Sequence, residues 1–561
     1  MKKDTKNLIE LLKYYKKYKF LSIGVIILSL AYAGISLLSP IYEGKMLGFF
    51  EDFDKTNIIK IALFLLILRI IIEIVTNLWS RVVLKLNGKV NFDLKRDMLE
   101  SLTNFEVKNF DNTNSGIFIS RLNKDTTELS ELFDYITDDL SGIILNVSFI
   151  VYVLYLNAYL GIFLILNIIL VYMLTSKKLF YYKRVKKDYK EKDEKTVGLY
   201  TDIIRGIREI KNLNLKEIVL KETNAKQLET IKAEIKTTHT RRTWNRWIAV
   251  FQHILDFIFV LLSIHFIMNN TLQVSSFLII FLYKNKVLNL INYISEIREK
   301  LADGKVSSSR VFDIITYKSF VKENFGTLKV NNIKGNIEFK NVDFSYSNEK
   351  LLENLNFAIR PNRITAITGT NGTGKTTIVD LILRLHSPTK GEILLDNINV
   401  KEIDKNSYLK EISVLNQESY LFNLSIRENF NLVENDIKKQ EEMCKLTGID
   451  KFIKTLPKGY DTIIDENSHN ISGGQKRLLS LTRTLLKDAK ILIFDEATSS
   501  LDTDKIQNVI NVLNELKKNH TVIVITHKKE IENIADEVIT INDGKVKIKT
   551  PRVSDITVKN Y

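Results

Sequence analysis

The sequence predicts a multidomain membrane protein, in which an all-α domain of six membrane-spanning helices precedes an α/β domain with a phosphate-binding loop. Three observations predict this fold class. The 561 residues exceed one ordinary domain, uncharged apolar runs crowd the first half, and strand-like and helical segments alternate from Asn336 onward. The expected division is a membrane domain over 1–304, a linker over 305–335 and an α/β domain over 336–561.

Six apolar segments are long enough to cross a bilayer. The run from 140 to 176 is uncharged but too long for one crossing, so we expect its polar break, LNAYLG, to separate two helices. The expected spans cover 20–42, 58–84, two helices within 140–176, 247–268 and 272–290. No Pro or Gly cluster stops the helices after Leu84 or Ser176, so we expect both to continue into long charged loops.

The charge distribution indicates how these spans are oriented. A formal net charge of +15 could indicate nucleic-acid binding, but the Lys/Arg excess lies at the N-terminus and between apolar spans, as in cytoplasmic loops. We therefore expect a lipid bilayer and no nucleic acid as partner. The expected location is the cell membrane, with both termini and the α/β domain in the cytosol.

Two further features exclude other classes of protein. A single cysteine, Cys444, excludes an internal disulfide framework and a cysteine metal cluster. The basic start lacks an A-x-A-like cleavage site, which favours a retained first helix over a signal peptide.

A phosphate-binding loop is the first functional motif in the second half of the sequence. The stretch GTNGTGKT follows the apolar strand RITAITG and precedes the helix TTIVDLILRL, which is the context that such a loop requires. Its backbone N–H groups would wrap the β-phosphate, Lys375 would reach the β and γ oxygens, and the Thr376 hydroxyl would hold Mg²⁺. The predicted nucleotide-binding residues here are Gly369, Thr370, Asn371, Gly372, Thr373, Gly374, Lys375, Thr376 and Thr377.

Polar side chains follow three other apolar strands. Asp495 and Glu496 end the strand ILIFDE, and we expect Asp495 to bind Mg²⁺ and Glu496 to polarise the attacking water. His527 follows TVIVIT and is predicted to contact the γ-phosphate, because ligands bind at the carboxyl ends of parallel strands. Gln417, after ISVLN, could contact Mg²⁺ or the water, and Tyr346 could stack on adenine or be an ordinary edge-strand aromatic.

A second helix start suited to an anion lies at SHNISGGQKR, which has two glycines and a serine but no lysine of the loop type. Together with the preceding motifs it resembles the nucleotide-binding domain of the ABC transporter superfamily, from about Asn336 to the end. The resemblance implies a head-to-tail dimer in which Ser472, Gly473, Gly474 and Gln475 contact ATP held by the partner chain. It also implies Gln417 as the Q-loop, Asp502 as the D-loop contact and His527 as the switch histidine. Ile471 replaces the usual leucine, and DENSHN lacks the glycines common before this signature in exporters.

The first half resembles the ABC exporter fold, with coupling segments near 109–115 and 204–208. The resemblance implies a dimeric half-transporter with ATP and Mg²⁺ as cofactors, formed as a homodimer or as a heterodimer with a related half-transporter. It would export an amphiphilic substrate, which could be a drug-like compound, a peptide or a lipid. The alternatives are a lipid flippase, an importer on the same fold or a nucleotide-gated sensor, whereas the six spans argue against a soluble ATPase acting on nucleic acid.

Charged side chains within the predicted spans allow two interpretations. They could line a cavity for a substrate with charged groups, or they could pair within or between helices, such as Arg69 with Glu73. The side chains concerned are Arg69, Glu73, Asp256, Lys284 and Lys286.

Overall fold

The computed structural model describes residues 2–51, 53–111, 113, 115–346, 350–465, 470–496, 503–542 and 544–549. The chain divides into two compact units. The first comprises the chain up to Thr103 together with Gly116–Ser319, and the second comprises Asn104–Ser115 and the chain from Phe320 onward. The predicted linker begins inside a helix, since the helix that starts at Asn289 continues to Ile315.

The first unit is helical. Its helices are α1 (Lys2–Lys17), α2 (Lys19–Glu51), α3 (Lys55–Thr103), α5 (Ser115–Ser120), α6 (Thr126–Leu156), α7 (Ala158–Arg205), α8 (Ile207–Asn212), α9 (Lys216–Met268), α10 (Val274–Val287) and α11 (Asn289–Ile315), with a π-helical turn at Arg121–Asp125. Helices α3 and α7 continue far beyond membrane length, as the sequence predicts, and so does α9. The predicted break near 155–158 is confirmed, and Asn157 caps α7 by accepting from Leu160 N at 3.1 Å.

Five helical segments in the described residues are long and apolar enough to cross a membrane: Lys19–Phe50, Gly116–Leu156, Ala158–Arg205, Lys216–Met268 and Val274–Ile315. Helix α3, which carries the predicted second span, is not among the five, and Arg69 and Glu73 lie in its apolar half. Large apolar side chains stay exposed on these helices, including Ile27, Leu166 and Phe257. Such a surface suits lipid rather than water.

The second unit is built on two sheets. An antiparallel sheet has the order β2-β1-β4-β5, and a six-stranded sheet has the order β10-β9-β3-β8-β7-β6. The strands are β1 (Ile337–Ser345), β2 (Lys350–Ile359), β3 (Ile364–Gly369), β4 (Lys390–Leu395), β5 (Ile398–Asn399), β6 (Ile412–Leu415), β7 (Ile491–Asp495), β8 (Thr521–Ile525), β9 (Glu537–Asn542) and β10 (Lys545–Lys549). Strands β3, β8, β7 and β6 are adjacent and parallel, and their residues are almost all buried, as expected for a sheet covered on both faces.

Helices cover this sheet. They are α12 (Lys375–Ile382), α13 (Lys405–Lys410), α14 (Ile426–Asn431), α15 (Ile437–Thr447), α16 (Asp450–Thr455), α17 (Gly473–Leu486), α18 (Thr503–Leu516) and α19 (Lys529–Glu532), with a 3₁₀ turn at Gly459–Asp461. The predicted α/β architecture is confirmed. Because the four parallel strands are neighbours, the residues that follow them meet at one edge of the sheet.

The loop Asn104–Ser115 belongs to the second unit although it lies between helices of the first. It includes the short helix α4 (Lys108–Asp111). The Asn109 side chain bonds both backbone groups of Val321, donating to the carbonyl at 2.8 Å and accepting from the N–H at 3.1 Å. Phe105 stacks on Phe320 with ring centroids 4.8 Å apart. The first predicted coupling segment is thus attached to the chain that leads into the α/β unit.

Candidate nucleotide site and membrane cavity

The phosphate-binding loop joins β3 to α12. Gly372 and Gly374 adopt left-handed φ values of +82° and +93°, which only glycine adopts without strain. A Cβ on Gly374 would also lie 2.8 Å from a methyl carbon of Leu352. The sequence pattern therefore places glycine where the backbone needs it, and helix α12 begins at Lys375 directly behind the loop.

Lys375 is the buried cation of this loop. Its Nζ donates to the carbonyls of Gly369 at 3.0 Å and Thr370 at 2.8 Å. Burial lowers the pKa of Lys375, while the nearby carboxylates of Glu496 and Asp495 act in the opposite direction. The amine is therefore held over the loop, where the β and γ oxygens of a nucleotide would need a positive charge.

Thr376 and Asp495 meet at the predicted metal position. The Thr376 hydroxyl donates to Asp495 Oδ2 at 3.3 Å. Burial raises the pKa of Asp495, and the bond from Thr376 partly opposes that shift. A hydroxyl, a carboxylate and the amide oxygen of Gln417 are the hard oxygen ligands that Mg²⁺ prefers, so these residues fit the ion.

The three predicted catalytic side chains come together. Gln417 Nε2 donates to Glu496 Oε2 at 3.0 Å, and His527 Nε2 lies 3.9 Å from Glu496 Oε1. Glu496 follows β7 with a left-handed φ of +50°, so its carboxylate leaves the strand in a different direction from Asp495. Gln417 lies 79 positions before Glu496 and His527 lies 31 positions after it, yet both approach the same carboxylate. The order of the strands predicts this meeting.

Tyr346 directly follows the end of β1. Its ring is exposed and packs edge-on against Phe344 and His386, with centroids 4.8 and 5.2 Å away. Its hydroxyl lies 3.2 Å from Thr377 Oγ1. One face of the ring is therefore fixed beside the loop helix, while adenine stacking stays a prediction.

The second glycine-containing helix start is a separate site. Ser472 caps α17, accepting from Gln475 N at 3.2 Å, and Gln475 Oε1 accepts from Ser472 N at 2.7 Å. Ser472 and Gly473 are exposed. Within the residues that the structure describes, no hydrogen bond joins Ser472 or Gln475 to the loop 369–377. The predicted D-loop residue, Asp502, lies outside the described residues, as does Glu466, an acidic residue of the stretch DENSHN that precedes the signature.

Sequence reasoning missed Arg477, which is 4% exposed on α17. Its guanidinium donates to the carbonyls of Asn416, Gln417 and Asp495 and to the Ser419 hydroxyl. The signal that could have found it is its place in the sequence, directly before the buried run that begins at Leu478 and shortly after a glycine-rich helix start.

The membrane unit contains a second candidate site, a cavity of about 480 Å³ between α2, α3, α6, α10 and α11. Its polar lining includes Tyr32, Ser36, Glu43, Arg69, Asn146 and Tyr283. Glu43 accepts from Tyr283 Oη at 2.7 Å and from Arg69 Nη2 at 3.3 Å.

For Arg69 the structure shows pairing between helices. Its partner is Glu43 on α2 rather than Glu73, the example within its own helix, because α2 packs against α3. Pairing between helices is confirmed for Lys284, whose Nζ lies 2.8 Å from Asp256 Oδ1 on α9. The Lys286 side chain lies outside the described residues.

Comparisons with known proteins agree with this architecture. The model of the ABC transporter transmembrane region matches residues 22–290, and the model named ABC transporter matches residues 352–499. An ATP-dependent lipid A-core flippase of Haemophilus influenzae (strain 86-028NP) is 28% identical over 94% of this chain and 90% of its own.

Two further relatives cover almost the whole chain. A protein of Bacillus subtilis (strain 168), YgaD, provisionally named as a multidrug export ATP-binding/permease protein, is 26% identical over 96% of this chain and 95% of its own. The structure of a bacterial Atm1-family ABC exporter with ATP bound superposes with a TM-score of 0.80 at 20% identity, covering 95% of both chains.

Proposed function

Because the chain belongs to the ABC transporter family, as a transmembrane region fused to an ATP-binding domain, we propose that it is a dimeric half-transporter that exports an amphiphilic substrate across the cell membrane at the expense of ATP. The meeting of Gln417, Glu496 and His527 at the phosphate loop carries this proposal. A sensor that only binds nucleotide would not need that arrangement.

Each residue has a role in the proposed cycle. Lys375 and the loop N–H groups bind the phosphates, while Thr376, Asp495 and Gln417 would hold Mg²⁺, which neutralises charge on the β and γ oxygens when bound. Glu496 accepts a proton from the attacking water, and Gln417 and His527 orient the water and the γ-phosphate.

The partner chain would complete each site. Ser472 and the N–H groups at the start of α17 carry a partial positive charge that suits an anion. Among the described residues, the side chains of Ser472 and Gln475 bond only each other's backbone N–H groups. We propose that Ser472 and the start of α17 bind the γ-phosphate of ATP on a second copy or on a related half-transporter. Asp502 would contact the partner chain across the same interface.

We further propose six spans, with α3 as the sixth member of the set, and cytoplasmic termini. The Lys/Arg-rich segments between the spans support this orientation. The boundaries 1–304, 305–335 and 336–561 remain our proposed domain limits. The attachment of Asn109 to Val321 supports a role for the first loop in carrying nucleotide-driven movement to the helices.

An amphiphile is the substrate class that the membrane cavity supports. The cavity combines the Glu43–Arg69 pair with aromatic side chains such as Phe149 and Tyr283, so it offers polar and apolar surface together. The names of two relatives, a lipid A-core flippase and a multidrug exporter, also describe amphiphilic cargo.

The test is ATP hydrolysis by the full-length protein in lipid vesicles, across a panel of peptides, lipids and dyes. We expect Mg²⁺-dependent hydrolysis that some amphiphiles stimulate and that chelation of Mg²⁺ abolishes. ATP binding without turnover would instead support a nucleotide-gated sensor. Transport of a labelled substrate in the same vesicles tests the direction: accumulation on the side opposite the nucleotide would support export, and accumulation on the nucleotide side would support an importer.

A further inference from the structure

Arg477 connects three structural elements that the proposed cycle uses separately. It lies on α17, five residues after Ser472, and its Nη1 donates to the carbonyl of Gln417 at 2.7 Å and to Ser419 Oγ at 3.0 Å. Nη1 also bonds the carbonyl of Asn416, and Nη2 bonds the carbonyl of Asp495. A single guanidinium therefore joins the signature helix to the ends of β6 and β7.

These contacts are unusual for a buried cation. Burial lowers the pKa of Arg477, while the charges of Asp495 and Glu496 oppose that shift. The hydrogen-bond partners are backbone carbonyls and a hydroxyl rather than a carboxylate, and Nε is buried without a hydrogen-bond partner among the described residues. Holding a charge in this way costs free energy, so a purely structural role explains it poorly.

Two of the three carbonyls that Arg477 binds belong to functional residues, Gln417 and Asp495. The Gln417 side chain donates to Glu496, and the Asp495 carboxylate accepts from Thr376. The rigid fork of a guanidinium fixes the directions of its partners. A shift of α17 along its axis would therefore move the backbone that aims Gln417 and Asp495.

Helix α17 can transmit such a shift. Five residues correspond to about 7.5 Å of helix axis, and a capping box closes its first turn. Ser472 and Gly473 at its start are exposed to a ligand, whereas the residues from Leu478 to Thr482 are buried against the rest of the domain, so a force on the first turn is passed along the helix. The N-terminus at Ser472 and the guanidinium therefore move as one body.

We propose that Arg477 is a positioning residue that couples the two ATP sites of the dimer. This inference rests on the proposed function, in which Ser472 binds ATP held by the partner. When Ser472 binds that γ-phosphate, α17 moves toward the partner chain. Arg477 then moves with it and places Gln417 and Asp495 in their hydrolytic positions in the protomer's own ATP site. Each site thereby reaches its hydrolytic geometry only when the other has closed.

The chain offers a matched control in Arg483. It lies on the same helix, burial likewise lowers its pKa, and its Nη2 donates to a backbone carbonyl, that of Tyr420, at 2.6 Å. That carbonyl belongs to neither Gln417 nor Asp495. Loss of Arg483 would therefore disturb the packing of α17 without disconnecting the two sites.

The experiment measures ATP hydrolysis against ATP concentration for the full-length protein in vesicles, with Arg477→Met, Arg477→Lys and Arg483→Met. We expect a Hill coefficient approaching about 2 in the wild type, since it is bounded by the number of sites. Arg477→Met should reduce it to about 1 and lower turnover by about 10-fold or more, with ATP affinity changed by less than about 3-fold. Arg477→Lys, which keeps the charge, should restore part of the cooperativity.

Arg483→Met should lower the melting temperature while keeping the wild-type Hill coefficient. Wild-type cooperativity in Arg477→Met, or equal loss in Arg483→Met, would overturn the inference. A wild type that hydrolyses ATP without cooperativity would also overturn it and leave the transporter assignment standing. A wild type that does not hydrolyse ATP would contradict the proposed function itself. If Arg477→Met does not fold, Arg477→Lys with unchanged cooperativity and turnover decides against the inference.

Discussion

Glu496 shows how one residue can be held in a costly conformation for chemistry. Its φ of +50° places a non-glycine residue in the left-handed region, which costs about 1–3 kcal/mol at such sites. The bond from its own N–H to the Ile525 carbonyl at 3.0 Å and the bond from Gln417 hold it there. The turn separates the directions of Asp495 and Glu496, so that one can serve the metal and the other the water.

Replacing Glu496 with Gln should abolish most turnover while leaving nucleotide binding intact. Glutamine keeps an oxygen that can accept from Gln417, but it cannot accept a proton from water, and loss of a general base typically costs about 100-fold or more in rate. The measurement is the turnover number together with ATP affinity.

The exposed neighbour of Gln417 provides the control for this substitution. Glu418→Gln removes the same charge close by and should leave the turnover number near the wild-type value. An unchanged rate in Glu496→Gln would show that another group activates the water.

At the scale of elements, the loop Asn104–Ser115 is held to the second unit by side-chain bonds to backbone. Asn109 satisfies both the N–H and the carbonyl of Val321, and it also donates to the Glu106 carbonyl at 2.9 Å. The Glu323 N–H donates to the Asn104 carbonyl at 2.9 Å. The asparagine therefore adds side-chain bonds to a short backbone pairing between the loop and the segment that leads into β1, in which the Glu106 N–H also donates to the Val321 carbonyl at 3.0 Å.

Asn109→Ala should loosen this attachment. It leaves the N–H of the exposed Val321 without its side-chain acceptor, a loss of about 0.5–1.5 kcal/mol. We expect faster amide hydrogen exchange in 104–111 and 320–323, and weaker stimulation of hydrolysis by substrate, with basal hydrolysis retained. Thr103→Ala, which removes a local bond to the Glu100 carbonyl, should not change the exchange of these segments.

Protection of 104–111 equal to the wild type in Asn109→Ala would show that the stacked Phe105 and Phe320 rings hold the loop without the asparagine. Asn109→Asp keeps the acceptor for Val321 N–H and loses the donor, so its exchange should lie between those of the wild type and the alanine variant.

Helices α9 and α10 are joined by an ion pair within the membrane unit. Lys284 is 5% exposed, lies 2.8 Å from Asp256 and sits 4.3 Å from the centre of the Phe281 ring. Removing one partner leaves an uncompensated charge, which costs about 3–5 kcal/mol, whereas replacing both can be nearly neutral.

Lys284→Met and Asp256→Leu should therefore each lower the melting temperature strongly, and the double variant should recover most of the loss. The measurement is thermal unfolding of the three variants in the same lipid nanodiscs. A double variant whose loss equals the sum of the single losses would show that the two side chains act independently.

For the whole molecule, the sequence was most informative where local rules suffice. Hydropathy and polar breaks predicted the helix ends around Asn157 and Met268, and the loop pattern predicted the strand–loop–helix at Lys375. Strand order then explains why Gln417, Glu496 and His527 meet. These features depend on the residue types within short segments, which the sequence gives directly.

The features that the sequence did not predict depend on packing between distant segments. Arg69 pairs with Glu43, 26 positions away on another helix, rather than with Glu73 one turn along its own. Arg477 binds carbonyls about 60 positions earlier, and nothing local marks its partners. The span count of six also needs α3, whose predicted span carries four charged side chains, Lys60, Arg69, Glu73 and Arg81.

The central claim for the whole molecule is that each ATP is shared between two copies. Mixed dimers of a Lys375→Ala chain and a Ser472→Arg chain test it most directly. Both chains also carry Glu496→Gln, so that trapping needs no hydrolysis, and the readout is the ATP retained per dimer. If ATP lies between the phosphate-binding loop of one chain and α17 of the other, each parental dimer traps no nucleotide and the mixed dimer traps one. The reason is that only one interface of the mixed dimer combines an intact Lys375 with an intact Ser472. A mixed dimer that traps no nucleotide, beside a Glu496→Gln dimer that does, would place both groups at the same chain's ATP and contradict the claim.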